Sequence, residues 1–317
     1  VGKYKFIWMA ALLGVLFLAG CSQGVLEKIG TKTAAPITED PIEVAEAAEN
    51  ADIDSEEVAS HERIDTSDWI RAESAVRLPI LMYHSISEGN NLRVPKEEFR
   101  MQMAWLQENG YETLSPNEAF LVLTENRMPS EKCVWITFDD GYTDNYTEAF
   151  PVLKEYDMKA TIFMIGKTID KAHHLTKDQM VEMSAGGISI ESHTINHLEL
   201  NRMTSEQQEA EMIQSKELFD RILHQDTTVL SYPVGRYNED SLRLSKEAGY
   251  KMAVTTEPGG ATSAQGMYGL HRVRISPGIS AEGFASMIEN ASNELSGMGH
   301  FKHYTEKSYH NELVHGV

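Results

Sequence analysis

From Leu78 onward, apolar runs of strand length alternate with segments whose apolar residues recur at helical spacing. The strand-like runs are residues 78–86, 111–114, 133–140, 161–165, 188–191, 228–232, 252–255 and 271–275. Phe99, Met103 and Leu106 mark the first helix between them, and Ser115-Pro116 opens the second with a cap and an N1 proline. Further helices are expected around Tyr146, Phe150 and Leu153, around Met180 and Met183 up to Gly186-Gly187, and over 205–223, 242–248 and 284–295. Eight strand-like runs separated by helices predict an α/β fold, a distorted (β/α) barrel of about seven to eight strands. An open doubly wound sheet is the alternative. In both, functional groups gather at the C-terminal strand ends. His84, Asp139, Asp140, His193, Tyr232-Pro233 and Thr255 all fall at or just after such ends.

The alternation is missing before residue 78. Residues 22–77 are rich in Ala, Glu, Asp, Thr and Pro, with no Lys or Arg between Lys32 and Arg63, and read as an acidic flexible linker. Ahead of it, Lys3 and Lys5 precede an apolar run over 6–19, shorter than the ~20 residues that span a bilayer. This reads as a secretory signal, residues 1–21. Leu18-Ala19-Gly20-Cys21 resembles the bacterial lipoprotein box, which implies a lipid on Cys21 and anchoring to the outer face of the cell membrane. Cys133, the one other cysteine, then has no disulfide partner and is expected to be a small buried apolar residue. The barrel domain is placed at 78–296, and the histidine-containing tail at 297–317 is read as a frayed terminus. A net charge of -20 argues against a nucleic-acid partner, although much of it lies in the linker.

The candidate chemistry starts at Val134-Trp-Ile-Thr-Phe-Asp139-Asp140-Gly141, a β-branched and aromatic run ending in two carboxylates. Adjacent negative charges at a strand end call for a cation, a shared proton or open water. His193 and His197, four residues apart, would face one side of a helical turn. Two imidazoles and one carboxylate make a hydrolytic metal site with a position left open. Successive strand side chains point to opposite faces, so one carboxylate would bind the cation and its neighbour would act as a general base.

Thr137-Phe138-Asp139-Asp140-Gly141 and His193-Thr194-Ile195-Asn196-His197 resemble two motifs of the polysaccharide deacetylases, the NodB-homology group of carbohydrate esterase family four. The resemblance covers roughly residues 78–295. It implies metal-dependent hydrolytic removal of acetyl from an N-acetylglucosamine polymer, with Asp139 as base and Asp140, His193 and His197 as metal ligands. It implies the Tyr142 N–H as an oxyanion donor, and Tyr232 and Pro233 as substrate-binding residues. Zinc suits the ligand set best, with cobalt, nickel or iron as alternatives. Three motifs depart from the common pattern, one of them by lacking its usual tryptophan, since none follows Trp135. Ser231 stands where an arginine usually orients the base, and Leu270-His271-Arg272 places His271, a candidate general acid, one position early. These departures, and Tyr83-His84 at the end of the first run, resemble the branch acting on poly-β-1,6-N-acetylglucosamine, with His84 near the metal as the alternative acid. Competing expectations are a peptidoglycan N-acetylglucosamine deacetylase, a xylan O-acetyl esterase and a non-enzymatic glycan-binding lipoprotein.

Overall fold

The computed structural model describes residues 64–293. In chain order its strands are β1 (Ile70–Arg71), β2 (Ile80–Tyr83), β3 (Glu112–Thr113), β4 (Arg127–Met128), β5 (Cys133–Asp140), β6 (Ala160–Met164), β7 (Ile188–Ser192), β8 (Val229–Ser231), β9 (Met252–Pro258) and β10 (Leu270–Arg274). Its α-helices are α1 (Lys96–Glu108), α2 (Pro116–Glu125), α3 (Phe150–Glu155), α4 (Lys177–Ala185), α5 (Ser205–Leu223), α6 (Glu239–Glu247) and α7 (Ala281–Ser292). The signal segment, Cys21, the linker up to residue 63 and the tail 297–317 lie outside the described residues.

The eight expected strand runs form an eight-stranded sheet in the order β2-β10-β9-β8-β7-β6-β5-β3. Because β2 also pairs with β5, from Ile80↔Trp135 to Tyr83↔Phe138, the sheet closes into a parallel ring, with β3 attached to the first residues of β5. The distorted barrel is therefore the architecture, and the open sheet is not. The distortion is greatest between β7 and β8, which share the single register pair Ser192↔Leu230. There the Glu191 carboxylate accepts the N–H groups of Thr228 and Val229 at 2.8 and 2.7 Å, taking the place of a missing ladder.

Alternation along β5 separates two cores. Trp135 packs with Phe163, Val229, Val254 and Leu270 in one cluster, and its indole N–H donates to Thr161 at 2.8 Å. Ile136 and Phe138 face the opposite way, against Phe99, Met180 and Phe284 of the surrounding helices. Reciprocal capping boxes start α2 (Ser115, Glu118), α4 (Thr176, Gln179) and α5 (Thr204, Gln207). The helix expected around Tyr146 begins instead as a π turn over Asn145–Ala149, with Phe150 N–H bonded to the Asn145 carbonyl. Pro151, which has no N–H to give, follows at once.

One boundary is corrected. The acidic linker does not continue to residue 77, because the chain from residue 64 belongs to the fold. β1 pairs antiparallel with β4, and Val76 is buried. Asn126, at φ 56°, ties this arm down. Its amide donates to the Ala72 and Ser74 carbonyls at 3.1 and 2.9 Å, and its carbonyl oxygen accepts from Val76 N–H at 2.9 Å.

Candidate metal and catalytic site

Asp139 and Asp140 end β5, and their divergence starts in the backbone. Asp139 keeps its strand direction and points inward. Asp140 has φ +73° and Gly141 φ +72°, so the chain turns sharply and the Asp140 carboxylate swings to the barrel mouth. A side chain at Gly141 would collide with the Met164 sulfur. The two acids thus occupy different sites, as strand alternation led us to expect, but a left-handed residue completes the separation.

Asp140 Oδ1 lies 3.5 Å from His193 Nε2 and 3.4 Å from His197 Nε2. One ligand atom from each of the three residues falls within 4.8 Å of the others. His193 Nδ1 sits 2.7 Å from the Ser231 carbonyl and must donate there, which leaves Nε2 as a bare acceptor aimed at a carboxylate. Burial lowers the His193 pKa to about 4, so the ring is neutral at ordinary pH. Two acceptors facing each other at this distance repel, and a divalent cation between them turns that repulsion into coordination. The donor set fits such an ion.

The helical turn expected for His193 and His197 is absent. Thr194 and His197 both adopt positive φ, 61° and 56°, in a loop. The Thr194 hydroxyl accepts the His197 N–H at 3.1 Å and closes the turn. Glu211 of α5 grips the middle of the loop, accepting from the Asn196 N–H at 2.8 Å and its side-chain amide at 2.6 Å. The imidazoles meet, with ring centroids 4.8 Å apart, because this strained loop is pinned from behind.

Asp139 is buried and paired with a residue that the sequence reading had not singled out. Arg272 of β10, fully buried, donates to Asp139 Oδ1 at 2.8 Å and Oδ2 at 2.6 Å. Its remaining donors reach the Thr255 carbonyl (2.8 Å), Thr137 Oγ1 (3.2 Å) and Ser231 Oγ (3.1 Å), so all five N–H groups are used. Burial works against the Asp139 charge, yet the guanidinium holds its carboxyl well below the usual range. The arginine missing at Ser231 is thus supplied from another strand, while Ser231 keeps a smaller place beside the same carboxylate, 3.4 Å from each oxygen. The signal was strand parity: a strand that buries Leu270 inward must also turn Arg272 inward, and a buried arginine needs an acid.

The same parity puts His271 on the opposite face of β10. It faces away from Arg272 and the ligands, and burial, Glu257 and Arg77 set its environment. Tyr232 and Pro233 are both buried. The Tyr232 hydroxyl lies 3.0 Å from Ser245 Oγ and from the Tyr268 carbonyl, and its ring stacks on Tyr237. His84 follows directly after β2 and is half-buried. Burial lowers its pKa, opposed by the charges of Asp140 and Asp139.

Tyr142 follows the turn, and a strap from the β6–α4 connection backs it. Thr143 N–H donates to the His173 carbonyl at 2.9 Å, and Leu175 N–H to the Gly141 carbonyl at 3.0 Å. In this antiparallel pattern Tyr142 and His174 form the non-hydrogen-bonded pair, so the Tyr142 N–H points away from the strap. Its ring stacks on His174 with centroids 5.3 Å apart. Cys133 is buried and its thiol is pushed up to about 11 by burial, consistent with an inert packing residue.

Comparison with known proteins gives a consistent set of relatives. Residues 126–253 match the family model described as polysaccharide deacetylase. The chain is 64% identical over 226 residues to YxkH of Bacillus subtilis (strain 168), provisionally named a polysaccharide deacetylase, covering 71% of this chain and 81% of that protein. It is 28% identical over 211 residues to the poly-beta-1,6-N-acetyl-D-glucosamine N-deacetylase of Staphylococcus aureus (strain MSSA476), covering 62% and 72% respectively. Among solved structures, the Streptococcus pyogenes deacetylase PplD in complex with acetate aligns with a TM-score of 0.66 and 38% identity, over 68% of this chain and 99% of that one.

Proposed function

Because this chain belongs to the polysaccharide deacetylase family, hydrolases that cleave an acetamide C–N bond, we propose that it deacetylates an N-acetylglucosamine polymer outside the cell, with poly-β-1,6-N-acetylglucosamine as the favoured substrate. The observation that carries this reading is the meeting of Asp140, His193 and His197 within 4.8 Å beside the buried Asp139–Arg272 pair. The 28% identical relative named for the β-1,6 polymer supports the choice of linkage.

A divalent ion held by Asp140, His193 and His197, zinc by preference, would polarise the acetamide carbonyl and lower the pKa of a neighbouring water toward ~7. Asp139 takes a proton from the attacking water. Its carboxylate is a weak base, since Arg272 stabilises the ionised form, and weak basicity suits a water already made acidic. The clamp also fixes which oxygen faces the mouth. The Tyr142 N–H, turned away from its strap, donates to the oxygen that gains charge. His84 passes a proton to the departing sugar amine, and acetate leaves. A lipid on Cys21 would hold the domain at the outer membrane face, with the acidic linker as a spacer. Diacylglycerol on the intact protein, read by mass spectrometry, tests that part.

The decisive experiment incubates the purified protein with β-1,6- and β-1,4-linked N-acetylglucosamine oligomers, with and without chelator, and measures acetate. Release from the β-1,6 oligomer that stops with chelator and returns with zinc supports the proposal. Release from the β-1,4 oligomer alone transfers the assignment to peptidoglycan. No acetate from either overturns it.

A further inference from the structure

β2 is held by strand pairing on both sides, by β10 and by β5, but the register with β5 ends at Tyr83↔Phe138. His84 is the first residue beyond that ladder. Two side chains from the segment that follows the adjacent strand β5 take over there. Asn145 Nδ2 donates to the His84 carbonyl at 2.7 Å. Asp144 Oδ2 accepts from the Ser85 hydroxyl at 2.6 Å, and Oδ1 accepts the Ile86 N–H at 3.0 Å. Three consecutive residues, 84 to 86, are therefore gripped by two consecutive residues of a different loop.

The grip is made at some expense. Asn145 is fully buried, and its Oδ1 finds no protein partner among the described residues. Leaving such a buried acceptor unpaired is unfavourable. The Asn145 amide returns little to the barrel, whose strands are already paired. Its bonds go to His84 and to the neighbouring Asp144. Asp144 and Asn145 also follow closely on the strand end and turn that carry Asp139, Asp140 and Tyr142. One segment, residues 139–145, thus sets the base, a ligand and the oxyanion donor, and reaches over to set His84 against them.

We propose that Asp144 and Asn145 are positioning residues that register His84, as proton donor to the leaving amine, to the Asp139–Tyr142 loop. The proposal rests on the role given to His84 above. Displacement of a reacting group by ~1 Å can lower the rate by ~100-fold, which sets the expected scale.

The test is a double-mutant cycle on acetate release from the N-acetylglucosamine oligomer that the enzyme accepts, with zinc content and the His84 ring NMR resonance measured on each protein. Asn145→Ala should lower kcat by ~10–100-fold, leave KM and bound zinc unchanged, and move the His84 resonance. In a His84→Ala background the same substitution should change kcat by less than ~2-fold, because the group it positions is gone. Should Asn145→Ala fold poorly, Asp144→Ala gives the same readout, with Asp144→Asn restoring most of kcat. Equal losses in both backgrounds, or full kcat in Asn145→Ala, overturn the positioning role while His84 keeps its own. Full turnover by His84→Ala instead removes the acid assignment, and the positioning proposal with it.

Discussion

Asp139 and Asp140 are neighbours in sequence with opposite surroundings, and single substitutions should separate them. Asp139→Asn removes the proposed base but none of the three residues proposed to hold the metal, so zinc content should stay near wild type while kcat falls by ~100-fold or more. Asp140→Ala should lose the zinc itself, read by elemental analysis after gel filtration. The clamp on Asp139 gives a stability prediction. Arg272→Met leaves a buried carboxylate without its partner, and should lower the unfolding free energy by ~3–5 kcal/mol in urea titrations. Adding Asp139→Asn should recover part of that loss. Because the folded Asp139 carboxyl is held below its ordinary range, this contribution is present above the unfolded pKa and is lost as pH falls through the folded value. The stability difference between wild type and Arg272→Met should therefore shrink in acid.

At the scale of elements, the strands were readable because their patterns are strong. Cys133–Asp140 carries a continuous apolar run, and the 205–223 helix starts and stops where its cap and periodicity place it. The ligand loop was readable as residues but not as geometry. His-x-x-x-His suggested helical spacing, whereas positive φ at Thr194 and His197 and the hold of Glu211 produce the approach. Neither left-handed backbone nor a grip from fifteen residues away leaves a local periodic trace. The β7–β8 gap was equally silent. Burial pushes the bridging Glu191 carboxyl up to about 8, with the Thr228 and Val229 N–H groups, and Lys216 beyond them, working the other way. A folded pKa raised above the unfolded value gives stability that is full below the unfolded pKa and is lost as pH rises through about 8. Denaturant midpoints should fall between pH 5 and 8, and Glu191→Gln should flatten that slope.

At the scale of the whole molecule, a single side chain ties residues 72–76 of the N-terminal arm to the ring. Asn126 carries the side-chain bonds that hold Ala72, Ser74 and Val76. Asn126→Ala should speed amide exchange at Val76, leave zinc binding unchanged and cost about 1–3 kcal/mol. The parallel α/β architecture could be foreseen from eight alternating runs, but the choice of a ring over an open sheet lies in the β2–β5 pairing, which such runs do not specify. Which strand would supply the counter-ion of the base could not be foreseen from the motif order, because Asp139 and Arg272 are 133 positions apart.

That separation along the chain has a temporal meaning. β10 is the last strand among the described residues, and it enters between β2 and β9, so its arrival shuts the ring. The same strand brings Arg272. A nascent or clipped polypeptide ending before Leu270 would possess both aspartates and both imidazoles, yet its inner acid would stand uncompensated in an unsealed cylinder. Closure of the ring and compensation of the inner acid are therefore one event, which an unfinished chain does not reach.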